Sequence, residues 1–151
     1  LIYFGLTEIE SSYLVRTLHD VGVSSLCFGA DGGPTSPFPD LAGEVAEGVY
    51  ETYAGADPAA NPAGRDFLRA CEQAYGKCPI FGAEAYDAAL VLLEAIRRAG
   101  VPSRNAVLER IRDLSDFESV TGPIAFGADG NRCNAQVTLW QVRGGEMTLL
   151  P

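Results

Sequence analysis

The sequence predicts an α/β fold, a parallel sheet flanked by helices with β-hairpins toward the C-terminus. Three observations carry this. Two short apolar runs, Leu1-Ile2-Tyr3-Phe4 and Leu26-Cys27-Phe28-Gly29, bracket a stretch of helical periodicity, and such a βαβ unit is right-handed with parallel strands. A long helical pattern over residues 83–99 stops at Gly100, where glycine suits a left-handed cap. From Phe117 the pattern turns β-like, with turn residues at 128–131 and at Gly144-Gly145.

In order, the first run ends at Gly5, and Leu6-Thr7-Glu8 forms the loop at its carboxyl end. A helix over 9–21 follows, with Tyr13, Leu14, Leu18 and Val21 as its apolar positions and Gly22 as its stop. His19 in this helix reads as a solvated side chain. After the second run comes the rigid loop Pro34-Thr35-Ser36-Pro37-Phe38-Pro39, then a short helix over 40–46. Residues 49–53 alternate and are rich in β-branched and aromatic types, a third strand. Asn61 is placed to cap a helix that has Pro62 at its first position and runs to about Tyr75, with Phe67, Leu68 and Cys71 inward. The long helix carries Tyr86, Ala89, Leu90, Leu93 and Ile96 at helical spacing. Ser103 caps another helix, with Val107, Leu108 and Ile111 inward. Ile124-Ala125-Phe126 is a short strand, and 128–131 a turn. Asp129 and Asn131 there lack the companion ligands of a calcium loop. Residues 137–142 alternate, and 147–150 return after the double glycine.

The chain has 151 residues, 47% of them hydrophobic and 21% charged, an ordinary globular composition. No apolar run approaches the roughly 20 residues that span a bilayer. A formal charge of −9 argues against nucleic-acid binding. The chain opens on a strand-like run with no polar lead-in, which leads us to expect that the natural N-terminus has been removed. Of the four cysteines, Cys27, Cys71, Cys78 and Cys133, none forms a zinc pattern. Cys71 and Cys78 are close enough for a local disulfide, which would imply an extracytoplasmic protein; two unpaired thiols are the other reading.

Chemistry concentrates at Leu26-Cys27-Phe28-Gly29-Ala30-Asp31-Gly32-Gly33. In an open α/β sheet, ligands bind just beyond the carboxyl ends of the strands. Small residues there let a ligand approach the backbone, and Asp31 is placed to meet a cation such as an ammonium group. The plainer reading of Asp31-Gly32-Gly33 is a turn. Glu8 also follows a strand and could share a cleft with Asp31. Two such carboxylates could do acid–base work or hold a cation without chemistry. No G-x-S-x-G elbow, P-loop or G-x-G-x-x-G occurs, and nothing resembles a metal or cofactor site. Binding is therefore favoured over a small hydrolase.

Several segments together carry a resemblance: Gly29-Ala30-Asp31-Gly32, residues 41–50, Asp57-Pro58 with Asn61-Pro62, residues 85–89, and residues 120–126 followed by Asp129-Gly130-Asn131-Arg132. In this order they resemble the leucine/isoleucine/valine-binding type of periplasmic substrate-binding protein, which serves ABC importers. The resemblance implies a type I periplasmic-binding-protein fold, two α/β lobes closing on a ligand, present here only in part. Residues 1–52 would belong to the second lobe, 53–116 would cross to the first, and 117–151 would return to the second. Thr7 and Asp31 match positions that grip a ligand ammonium in that family. The first is often tyrosine, and Asp31 is one methylene shorter than the usual glutamate. Phe81 would pack on the ligand side chain, with Glu8 and Tyr53 as further ligand-binding candidates.

The implied function is the solute-binding component of an importer, without catalysis, cofactor or metal, taking an amino acid or related small polar metabolite. Aliphatic amino acids are the default; aromatic acids, amides and urea stay open. The implied partners are an ABC permease and the missing N-terminal portion of the same protein, since the family's mature chains are more than twice as long. The implied location is periplasmic or extracellular, with a lipid anchor on that missing portion as one option. A ligand-sensing regulatory or receptor domain is the other reading, because fold does not fix function.

Overall fold

The computed structural model describes residues 1–151. It divides into two compact units, Leu1–Asp57 with Val137–Pro151, and Pro58–Gln136. The second boundary differs from the expected return at 117, because residues 119–121 are tied by hydrogen bonds to the long helix.

The first unit contains β1 (Ile2–Phe4), α1 (Glu8–Asp20), β2 (Cys27–Gly29), α2 (Phe38–Ala42), β3 (Tyr50–Tyr53), β4 (Thr138–Arg143) and β5 (Glu146–Leu149). A 3-10 turn, Gly43–Ala46, continues α2. The strands form one sheet in the order β1-β2-β3-β4-β5. The first three run parallel, while β4 and β5 are antiparallel to their neighbours. At the β4–β5 hairpin Gly144 and Gly145 have φ of 61° and 80°, as a two-residue turn of this hand requires. Glu47 accepts both of their N–H groups, at 3.1 and 3.3 Å.

One sheet face packs on the helices through Phe4, Val15, Phe38, Ala42, Ala46, Val49 and Val142. The Arg16 guanidinium joins α1 to α2 by donating to the Leu41 and Ala42 carbonyls. The other face carries an aromatic row, with Phe28 6.2 Å from Tyr3 and stacked on Tyr50 at 5.9 Å. The inward stripe of α1 is Ser11, Ser12 and Val15, not the expected larger residues. Leu14 packs against the core, but Tyr13 is 66% exposed. His19 is exposed beside Asp20.

The second unit contains α3 (Pro62–Tyr75), α4 (Gly82–Ala99) and α5 (Arg104–Arg112), followed by an irregular segment. Its core is Val91, Leu114 and Ile124, flanked by Ile111, Phe117 and Phe126. Asn61 caps α3 through its Oδ1, which accepts from Gly64 N at 2.8 Å, and its Nδ2 donates to the Val120 carbonyl at 3.0 Å. The expected short strand at 124–126 is reduced to two isolated bridges, Phe117 with Ile124 and Phe126 with Arg132. Asp129 accepts from the Asn131 backbone and side chain in the intervening turn.

The largest departure is the rotation of α4. Its buried positions are Ala83, Asp87, Val91 and Ala95, and Leu93, expected inward, is 61% exposed. Leu108 of α5 is likewise exposed. The cause lies in Asp87. Its carboxylate accepts from Ser119 Oγ (2.8 Å), Val120 N (2.9 Å), Thr121 N (2.9 Å) and Thr121 Oγ1 (2.6 Å). A buried charge satisfied this fully fixes which face of the helix turns inward. Arg132 extends the network by donating to Thr121 Oγ1 and the Pro123 carbonyl.

Cys71 and Cys78 form a disulfide with a Cα separation of 5.4 Å, joining the last turn of α3 to the segment before α4. Cys27 and Cys133 are free. Loop closure over so short a span stabilises by roughly 2–3 kcal/mol. Reduction is expected to lower the denaturation midpoint accordingly, read by thermal melts with and without reductant. An unchanged midpoint in the fully reduced protein would contradict this.

Candidate functional site

Three loops leave the carboxyl ends of β1, β2 and β3 in the first unit, and four of the five residues singled out from sequence stand on or beside them. Each has a definite local role.

Thr7 is the N-cap of α1. Its hydroxyl accepts from Glu10 N at 3.4 Å and donates to Glu10 Oε2 at 3.0 Å, while Glu10 also takes the Thr7 N–H at 3.1 Å. This reciprocal capping box satisfies donors that the first turn leaves open. Glu8 is the first helical residue; a carboxylate there complements the positive end of the helix.

Asp31 stands two residues beyond β2, with an exposed side chain and φ of 59°. Aspartate tolerates this left-handed region better than most residues. The conformation turns Asp31 outward while the following glycines stay buried. Three non-glycine residues have positive φ: Asp31, Phe81 and Asp116. Backbone strain of this kind persists only where the surrounding structure holds it. Phe81 lies in the second unit, at the N-cap of α4 with φ of 60°, and is 37% exposed.

Tyr53 closes β3 and is only 2% exposed. Its ring lies under Gly33, where a Cβ would come within 2.7 Å of Cδ2. Tyr53 therefore supports the Asp31 loop from beneath.

Sequence reading missed Glu51. It is 2% exposed, between Tyr50 and Thr52 on β3. Its carboxyl fills the space where a Gly32 side chain would begin, so any Cβ at Gly32 would overlap Glu51 Oε2 and Cδ. Only glycine permits this approach. Oε2 has no hydrogen-bond partner. Burial, with the Glu8 carboxylate adding to it, pushes the Glu51 carboxyl up to about 7, and a hydrogen bond with Ser36 pulls the other way. The available signal was the period-2 pattern, which puts Glu51 on the same face as the buried Val49 and Tyr53.

The site is thus an exposed carboxylate on a glycine-flanked strand exit, braced from below by a second, buried carboxyl and an aromatic ring. Parallel strands with a polar loop cluster at their carboxyl ends define a ligand-binding α/β class.

The chain belongs to the periplasmic binding protein family, whose sequence model matches residues 3–146. It is 27% identical over 147 residues to Leu/Ile/Val-binding protein homolog 3 of Brucella melitensis, covering 97% of this chain and 40% of that protein. It is 30% identical over 143 residues to the leucine-, isoleucine-, valine-, threonine-, and alanine-binding protein of Pseudomonas aeruginosa, covering 93% of this chain and 37% of that one. Among solved structures, the leucine-binding protein LivK of Thermotoga maritima superposes with a TM-score of 0.86 at 29% identity, over 99% of this chain and 43% of that chain. The branched-chain amino acid binding protein LivJ of Streptococcus pneumoniae, in complex with isoleucine, shares the fold at a TM-score of 0.82 and 22% identity, over 99% of this chain and 44% of that chain. The fold is that of type I periplasmic binding proteins, in part. The chain spans about 40% of the length of the curated relatives it matches.

Proposed function

We propose that this chain is part of the extracytoplasmic solute-binding component of an ABC importer and takes an amino acid or similar small metabolite bearing an amine. The observation that carries the reading is Asp31, an exposed carboxylate set at φ of 59° between small residues at a strand exit. The names of the relatives, a Leu/Ile/Val-binding protein homolog and a leucine-, isoleucine-, valine-, threonine-, and alanine-binding protein, support the same ligand class.

In this reading Asp31 takes the ligand ammonium. Thr7 and Glu8 flank it, Tyr53 supports the loop, and Phe81 shapes the apolar side of an interlobe cleft. A further N-terminal portion supplies the rest of that cleft, and an ABC permease receives the ligand outside the cytoplasm. The protein makes and breaks no covalent bond. The ligand favours the closed state only by the difference in its affinity for closed and open forms.

Asp31→Ala in the full-length protein is expected to weaken leucine binding by more than about 1.5 kcal/mol, because a charge-assisted hydrogen bond is lost. Calorimetric titration measures this directly. Unchanged affinity would reject the role of Asp31.

A further inference from the structure

We propose that Glu51 is a positioning residue of the ligand site, a buried carboxyl beneath the Asp31 loop that gives up its proton when an amine-bearing ligand binds. This rests on the reading above that Asp31 takes the ligand cation.

Geometry is the first support. The Glu51 carboxyl occupies the place of the missing Gly32 side chain, one residue from Asp31. The buried acid therefore abuts the backbone of the residue next to Asp31. Glu51 Oε2 is shielded from water and has no hydrogen-bond partner. The groups that act on it are Glu8 from α1 and Ser36 from the loop after β2. Neither of these is a cation. An ionised Glu51 lacks a counter-charge, so the ligand-free protein keeps the proton to about pH 7.

An ammonium group held by Asp31 supplies the absent positive charge. It favours the ionised form of Glu51: the carboxyl O–H bond breaks, the carboxylate stays in place, and the proton passes to solvent. The proton's positive charge leaves the buried carboxyl as the ligand's ammonium arrives at the neighbouring residue. By reciprocity, a higher pH that removes this proton strengthens ligand binding. The glycine at position 32 is what places the buried acid this close.

Leucine is the probe, titrated calorimetrically into the full-length protein between pH 6 and pH 8, in two buffers of different ionisation enthalpy. Leucine's own amine stays protonated throughout. Wild type is expected to bind about tenfold more tightly at the upper pH and to release protons on binding. Glu51→Gln keeps the shape and is expected to bind with a nearly flat profile and little proton release. Glu8→Gln removes a carboxylate that holds Glu51 up, and is expected to move the steep part of the profile to lower pH. Parallel profiles in wild type and both variants overturn the proposal while leaving the assignment of Asp31 intact. Failure of wild type to bind leucine at any pH overturns the amino-acid reading and this inference with it.

Discussion

Asp87→Ala is expected to destabilise the second unit by at least about 3 kcal/mol. The reason is the asymmetry between making and losing buried hydrogen bonds. Each intact bond contributes about 1 kcal/mol net, but a buried donor left without an acceptor costs about 1–3 kcal/mol. Removing this carboxylate strands the Val120 and Thr121 N–H groups and the Thr121 hydroxyl together, while the Ser119 hydroxyl keeps the Gly122 carbonyl as acceptor. Water cannot readily replace it, since Ser119, Val120 and Thr121 are all buried. Asp87→Asn keeps one acceptor oxygen and presents an amide donor toward other donors, so its loss is expected to be smaller but still measurable. Urea denaturation followed by far-UV circular dichroism measures both, because α3, α4 and α5 all belong to this unit. If the alanine variant unfolds at the wild-type midpoint, the network does not hold the unit together.

This network explains a feature legible in the sequence only as a pattern. Residues 85–89 and 120–126 are among the segments that carry the family resemblance, and neither contains an obvious ligand group. Asp87 and Thr121 join them directly, and Arg132 adds a third segment. Their common role is to lock the irregular chain after α5 onto α4. The relation was hidden because its partners lie 32 to 34 residues apart, beyond the reach of local periodicity. The same blindness produced the wrong rotation of α4. Tyr86, Leu93 and Ile96 make an apolar stripe at helical spacing, yet a single satisfied aspartate on another face decided the outcome.

What sequence could deliver was chiefly local. Asn61-Pro62, Ser103 and the glycines at 100, 144 and 145 each act on their own neighbours, and all punctuate the chain where expected. Asp31 stood out because a charge between glycines at a strand exit is readable within eight residues. Thr7 was read for its place after a strand, and its capping role was also local, since Glu10 follows three residues on. Glu51 was the true omission. A lone glutamate within a strand reads as solvent-facing by default, and its burial depends on Gly32, nineteen residues earlier, leaving room for it.

Glu51 should also reveal itself without any ligand, through the pH dependence of stability. Its ordinary value is 4.5, and in the folded chain burial, aided by Glu8, raises it to about 7. Below 4.5 both folded and unfolded chains carry the proton, and this residue contributes no pH dependence. Between 4.5 and about 7 the unfolded chain has released its proton while the folded chain retains it, so folding takes up a proton and stability falls as pH rises. Above about 7 both states are ionised, and the folded state bears a buried carboxylate with no cation facing it. The total loss across the window is about 3 kcal/mol, since a tenfold change in proton affinity corresponds to about 1.4 kcal/mol. Glu51→Gln removes the ionisation and keeps the side-chain shape. The difference between variant and wild type is therefore expected to move in favour of glutamine by about 3 kcal/mol from pH 4.5 to pH 8. Urea midpoints across that range, with Trp140 fluorescence reporting on the same unit, would measure it. Parallel curves for the two proteins would mean that Glu51 titrates as an ordinary surface acid, with no grip on the loop that carries Asp31.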